Sequence, residues 1–186
     1  MARASHNSLK KIVIIGPEST GKSTLCAQLA DHFGTSWCPE YAREYLLAHG
    51  TAYSYDDLLT IAKGQLALEE KYTREAAQPP GLVFIDTDMY VMKVWCEFVF
   101  RKCHRYILDQ IVERQYHLYL LCNTDLPWTP DPLREYPDLV SRRVLYKIYK
   151  DILVNQSVPW AEISGEQEQR LEKAILVVQR LLGVTR

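Results

Sequence analysis

The sequence predicts an α/β fold, a parallel sheet with helices packed on it, and three observations lead there. Short apolar runs bounded by polar or turn residues recur along the 186-residue chain, with helix-period segments between them. Two of these runs, Lys11-Ile12-Val13-Ile14-Ile15 and Leu82-Val83-Phe84-Ile85, are continuous rather than alternating, the profile of strands buried on both faces. The first run leads straight into Gly16-Pro17-Glu18-Ser19-Thr20-Gly21-Lys22-Ser23, which fills every fixed position of the phosphate-binding pattern G-x-x-x-x-G-K-[ST] between a strand and a helix.

The elements follow in order. After the loop, Leu25, Leu29 and Ala30 share a helical face and Gly34 ends it, so a strand–helix unit runs from about Lys11 to Phe33. Ser36-Trp37-Cys38 is a short second strand, and Pro39 suits the first turn of a helix through Ala48, stopped by His49-Gly50. Ser54 followed by Asp57 is a capping arrangement, after which Leu58, Ile61, Ala62, Gln65, Leu66 and Glu69 recur at helical spacing toward Arg74. Gln78-Pro79-Pro80-Gly81 closes that helix. The strand Leu82–Ile85 comes next, then a helix-rich stretch from Met89 to Gln115, a strand from Tyr116 to Cys122, a last strand from Val158 to Ile163 and an amphipathic closing helix from Glu166 to Leu182. Asn123 to Arg143 carries Pro127, Pro130, Pro132 and Pro137 together with Arg134, Arg142 and Arg143. Such proline density argues against a buried regular element, and a position after a sheet strand reads as a lid, about residues 125–143, the alternative being a proline-stiffened surface turn with solvated arginines.

Each fixed residue of the loop has its own chemical reason. Gly16 and Gly21 let the backbone turn tightly, and the helix beginning near Lys22 points its positive dipole end at an anion. Lys22 can reach β- and γ-phosphate oxygens and spread charge that develops during transfer; the Ser23 hydroxyl is placed to ligate Mg²⁺. Thr24 lies one residue deeper, toward an α-phosphate, and Glu18, Ser19 and Thr20 complete the nucleotide-binding stretch. ATP and Mg²⁺ are therefore the expected cofactors.

Bulk numbers narrow the partner. With 47% hydrophobic residues and net charge −1, the chain is sized for one globular domain, about residues 11–186 behind a short flexible tail of residues 1–10. Scattered basic residues argue against a nucleic-acid surface and for a small-molecule substrate. Residues 1–10 have no apolar secretory core, and the longest apolar stretch, Val91 to Phe100, is broken by Lys93 and Glu97; the expectation is a cytoplasmic protein with no membrane partner. Five cysteines without a C-x-x-C pair fit reduced thiols, and five histidines lack metal-ligand spacing. No signal bears on oligomeric state.

A phosphate-binding loop needs an acidic partner at the end of a neighbouring strand. Ile85-Asp86-Thr87-Asp88 supplies it, with Asp86 on the metal side and Asp88 either contacting substrate or capping the next helix. In Glu40-Tyr41-Ala42-Arg43-Glu44-Tyr45, helical spacing puts Glu40, Arg43 and Glu44 on one face. Glu40 there is either a carboxylate that takes a proton from an attacking hydroxyl, with Arg43 holding substrate or phosphate, or part of a solvated face with i,i+3 ion pairs.

Together, G-P-E-S-T-G-K-S-T-L, E-Y-A-R-E-Y, F-I-D-T-D and W-T-P-D-P-L-R resemble the nicotinamide-riboside kinase domain of the bacterial bifunctional NAD-biosynthesis regulator family, from about Lys11 to the C-terminus. The resemblance implies a P-loop kinase with a five-stranded parallel sheet in order 2-3-1-4-5 and a lid, moving the ATP γ-phosphate to the ribose 5′-hydroxyl of nicotinamide riboside. It places Arg134 in the lid's W-x-x-D-x-L-R block, and implies aromatic side chains around the nicotinamide ring, for which Trp37, Tyr41, Tyr45, Trp95 and Trp128 are available. The family's adenylyltransferase and DNA-binding regions do not fit in the roughly ten residues before the first strand, so the expectation is a stand-alone kinase module.

Two neighbouring classes are set aside. A GTPase needs D-x-x-G and N-K-x-D, and Asp86-Thr87-Asp88-Met89 and Asn123-Thr124-Asp125 supply neither. Ile163-Ser164-Gly165-Glu166-Gln167 looks like the signature loop of transporter ATPases but follows the acidic strand instead of preceding it; after the last strand, Ser164 and Gly165 are instead placed for backbone contacts to an adenine ring. Two rival functions remain: a kinase for another nucleoside or small metabolite, and a nucleotide-dependent switch or assembly ATPase.

Overall fold

A computed structural model describes residues 9–77 and 81–184. The expected tail falls outside the described residues up to residue 8, as do Gln78, Pro79 and Pro80. The elements are β1 (Lys10–Ile15), α1 (Lys22–Phe33), β2 (Trp37–Cys38), α2 (Tyr41–His49), α3 (Tyr55–Glu75), β3 (Leu82–Asp86), α4 (Met89–Phe100), α5 (Arg105–Glu113), β4 (Leu118–Cys122), α6 (Leu139–Val154), β5 (Trp160–Ile163) and α7 (Gln167–Leu181). The strands form one parallel sheet in the order β2-β3-β1-β4-β5, the order the family resemblance implies.

Period-two side-chain alternation divides the sheet's residues between two cores. Ile12, Ile14, Phe84, Leu118 and Leu120 face α1 and α7, whereas Val13, Ile15, Val83, Ile85 and Leu121 face the side of α4 and α6. A third cluster, with Leu58, Ile61, Met92 and Ile107, joins α2 to α5. Each fully buried Ile, Leu or Phe contributes about 1.5–3 kcal/mol relative to exposure. The chain passes to one side of β1 through β2 and β3 and to the other through β4 and β5, so a crevice opens at the C-terminal end of β1, where ligands bind in such sheets.

Several boundaries differ from the sequence reading, each for a tertiary reason. The helix expected from Pro39 starts at Tyr41, because Glu40 stays extended (φ −72°, ψ 114°). Gln65, 1% exposed on α3, holds it there: its Oε1 accepts the Tyr41 N–H at 2.7 Å and its Nε2 donates to the Pro39 and Asp86 carbonyls. Met89–Gln115 is two helices, broken where Arg101 turns to φ 60°. The capping box at Ser54 and Asp57 forms. Helix α6 was not read from the sequence; it starts at Asp138, whose side chain caps Ser141 N at 2.7 Å, and takes over residues 139–143 of the expected lid.

Candidate active site

The phosphate-binding loop is shaped by three residues at positive φ. Gly16 (φ 146°) could not carry a side chain, because a Cβ would lie 2.7 Å from the Cys122 carbonyl oxygen of β4. Gly21 (φ 77°) turns the chain into α1, and Ser19 (φ 54°) takes the left-handed region without being glycine. The Thr20 hydroxyl donates to Pro17 O at 2.7 Å and is buried, which makes it an internal brace of the loop. Lys22 Nζ donates to Pro17 O at 3.1 Å.

Residues 16–24 line one end of a cavity of about 320 Å³. Ser23, at the start of α1, donates its hydroxyl proton to Asp86 Oδ2 at 2.5 Å, so the loop and the end of β3 meet as the sequence reading required. Thr87 Oγ1 lies 3.4 Å from Asp86 Oδ1 and 3.5 Å from Glu40 Oε1, linking the two carboxylates. Burial is the main force raising the carboxyl pKa of both Asp86 and Glu40 above the usual range, and the Lys22 ammonium opposes it. Thr87 itself sits at φ 77°, a strained position for a β-branched residue. That turn sends the neighbouring aspartates in different directions.

Asp88 points away from the cavity. Its Oδ1 caps α4, accepting Tyr90 N at 3.0 Å and Val91 N at 3.3 Å, and its Oδ2 accepts the Tyr119 hydroxyl at 2.9 Å. Of the two roles open to it, the structure shows the cap. Burial pushes its carboxyl up to about 7 from 3.8. The folded state therefore holds this proton more tightly than the unfolded chain, and stability falls as pH rises from 3.8 to about 7 and is flat above. Asp88→Asn keeps a good capping residue without the charge. It is expected to flatten that slope, so thermal melts between about pH 5 and pH 8 should fall less for the variant; parallel curves would show that Asp88 does not titrate there.

The other expected residues are placed as follows. Glu40, Arg43 and Arg134 line the cavity with the loop. Arg43 does not pair with Glu40 across one turn; it bonds the lid's Asp131 at 3.0 Å, since Glu40 lies outside the helix. Arg134 Nη1 lies 3.4 Å from Ser19 Oγ and also donates to Thr129 O. Glu18 and Ser19 use their side chains to hold the lid: Glu18 Oε2 accepts Glu135 N at 2.9 Å and Tyr136 N at 3.3 Å, and Ser19 Oγ accepts Thr129 N at 3.0 Å. Ser164 and Gly165 do not line the cavity; Gly165 N donates to Asp125 Oδ2 at 2.6 Å.

Among the expected aromatics, Trp37 and Trp95 line the cavity. Tyr41 instead packs on Gly64, where a Cβ would come within 2.0 Å of its ring, and Tyr45 donates to Asp57 at 2.5 Å. Trp128 lies beside the guanidinium groups of Arg134 and Arg142, at 5.7 and 5.8 Å.

Two arginines central to the site were missed as such. Arg142, 2% exposed, donates to Glu18 O, Ser19 O and Leu126 O, so it staples the loop and the lid base instead of facing a phosphate. Arg170, 3% exposed, donates to Thr20 O at 2.8 Å, Asn123 O at 2.9 Å, Gly165 O at 2.8 Å and the Asp125 carboxylate. Both occupy the apolar stripe of their helices, with Leu145, Tyr149 and Leu153 in α6 and with Ala174 and Val178 in α7. A charged residue on a buried stripe is the signal that would have found them.

This arrangement can hold a triphosphate along the loop, a cation at Ser23 and Asp86, and a second small molecule beside Glu40. The chain is 27% identical to the trifunctional NAD biosynthesis/regulator protein NadR of Escherichia coli (strain K12) over 96% of its own length and 44% of that protein's, and 27% identical to the Salmonella typhimurium NadR over 94% and 43%. It thus spans under half of these curated relatives. Among solved structures, NadR protein in complex with NR superimposes with a TM-score of 0.74 at 24% identity, covering 97% of this chain and 51% of that one. Thymidylate kinase from Ehrlichia chaffeensis superimposes with a TM-score of 0.66 at 13% identity, over 92% and 100%. The fold is therefore the one these two structures share, and because residues 11–170 match the AAA domain family, the chain belongs to that family.

Proposed function

We propose that this chain is an ATP- and Mg²⁺-dependent small-molecule kinase, and that its acceptor is the ribose 5′-hydroxyl of nicotinamide riboside, which it converts to the mononucleotide. One observation carries the reading: phosphate loop, Glu40 and aromatic side chains share one cavity, so a nucleoside bound there lies beside the γ-phosphate position. The relatives support the choice of acceptor. They are named for NAD biosynthesis, and solved NadR structures hold NR in one case and NAD with AMP-PNP in another.

The donor set at Ser23 and Asp86, a hydroxyl and a carboxylate 2.5 Å apart, suits Mg²⁺, which takes hard oxygen ligands and usually few from protein. When bound there with ATP, the ion neutralises charge on the β- and γ-phosphates. The chain's own residues do the rest. Lys22 places positive charge where it grows on the transferred group. Glu40, with its raised carboxyl pKa, accepts the proton of the attacking hydroxyl. The new bond joins the 5′-oxygen to Pγ, the bond from Pγ to the bridging oxygen breaks, and ADP leaves with its electron pair. Arg134 and the lid, tied to the loop through Glu18 and Ser19, exclude water that would otherwise take the phosphoryl group.

In this reading residues 11–186 act as one kinase domain with a lid at about residues 125–138, ahead of α6, in the cytoplasm, and Ser164 and Gly165 lie toward the adenine. Among the described residues no helix is long and apolar enough to cross a membrane. A coupled ATP-consumption assay across nucleosides tests the proposal. Nicotinamide riboside is expected to give the highest kcat/KM; a higher value for another nucleoside would reassign the acceptor, and ATP turnover indifferent to every acceptor would overturn the kinase reading.

A further inference from the structure

The charged groups lining the cavity are nearly all committed. Lys22 and Arg134 bond the phosphate loop, Arg43 pairs with Asp131, Glu18 holds the lid's N–H groups, and Glu40 lies beside Asp86 at the phosphate end. Glu135 differs. It stands at the aromatic end, and among the described residues no lysine or arginine forms a salt bridge with it.

Its carboxylate is nevertheless fixed. Trp95 Nε1 donates to the Tyr53 hydroxyl oxygen at 2.8 Å, and that hydroxyl donates to Glu135 Oε2 at 2.9 Å. The two bonds reinforce one another, because a hydroxyl that accepts is a better donor. Burial and the Glu135 charge hold the Tyr53 hydroxyl far above its ordinary pKa, so it stays protonated. The Glu135 N–H is anchored separately on Glu18, which fixes the residue from two sides. Around it the cavity wall is aromatic: Trp95 packs edge-on against Tyr53, with centroids 4.9 Å apart, and Phe98 against Tyr136 at 5.3 Å.

A held carboxylate without a salt-bridge partner among the described residues, next to aromatic faces, is the environment that favours a flat group carrying delocalised positive charge. The ring quadrupoles attract such a cation and the carboxylate neutralises it. We infer that Glu135 is a specificity-determining residue that selects an acceptor whose base is a cationic ring over one whose base is neutral. The inference rests on the proposed acceptor site, and it fits nicotinamide riboside because the glycosylated pyridine is a pyridinium.

The test compares kcat/KM within two charge pairs, nicotinamide riboside against its neutral 1,4-dihydro form and 7-methylguanosine, assayed at a pH low enough to keep its N1–H and hence its positive charge, against guanosine, for the wild type and Glu135→Gln. Glutamine retains an acceptor for Tyr53 while removing the charge. The wild type is expected to favour the cation of the pair it accepts by about tenfold or more, and the variant to bring that ratio near unity, the scale of one lost charge contact. A wild-type ratio near unity in both pairs overturns the inference. So does a variant that loses both members of a pair equally, because that is what a carboxylate bound to ribose hydroxyls, or one that merely supports the lid, would do. If only the guanosine pair is accepted and its cation is favoured through Glu135, charge selection stands and the nicotinamide riboside assignment fails.

Discussion

Lys22→Ala is expected to lower phosphoryl transfer at least about 10²–10³-fold, the scale for removing one preorganised charge from a transition state. Its ammonium is the cation that opposes the burial of Asp86 and Glu40, so its loss both strips charge from the transferred group and drives those carboxyls further toward their neutral forms. The fold should hardly notice. Lys22 is half-buried and, among the described residues, bonds Pro17 O within the same loop. Circular dichroism and melting temperature near wild type, with turnover collapsed, is the expected pair of results. Turnover near wild type in the folded variant would sink the assignment of Lys22 to the reacting phosphate.

Arg170→Ala is expected to do the reverse, with its primary effect on stability. The change would leave the carbonyls of Thr20, Asn123 and Gly165 without this donor and take one of two hydrogen bonds from the Asp125 carboxylate. Leaving several acceptors unpaired, at about 1–3 kcal/mol each where they are buried, costs about 3–5 kcal/mol in all, which for a chain of this size lowers the melting temperature by roughly 6–20 °C. The same bonds join the phosphate loop, the end of β4 and the β5–α7 turn, so the KM for ATP should rise as well. Arg170→Lys should restore little, because an ammonium cannot present the planar fork that reaches several acceptors at once. Thermal melts and ATP titrations of both variants check this. A melting temperature within a few degrees of wild type for the alanine variant would mean that the arginine is not the tie described.

How far the site could be read in advance depended on the range of the interactions that make each part. The phosphate loop was legible because its shape is local: Gly16 and Gly21 adopt backbone angles that few other residues tolerate, and the lysine follows immediately. Asp86 was legible because a buried strand ends in a polar residue. The roles of Asp88 and Glu40 were not, since a capping aspartate and a substrate-facing one have the same neighbours in sequence, and the helix start beside Glu40 is set by Gln65 from another helix. Helix α6 escaped because the prolines before it dominate the local pattern, while its buried stripe includes an arginine.

By itself, then, the sequence determined the α/β class, the strands that carry unbroken apolar runs, the phosphate loop and its acidic partner. All of these follow from interactions between residues close along the chain, or from burial on both faces, which leaves its mark in composition. Only the tertiary structure decided which aromatics face the cavity, that Glu18 and Ser19 hold the lid, that Glu135 is fixed by Tyr53, and that Arg170 reaches the loop across 150 positions of sequence. Those pairings depend on how separate helices are carried by the sheet to one end of the molecule. A side chain's partner at that range is selected by packing geometry, and no local pattern encodes it.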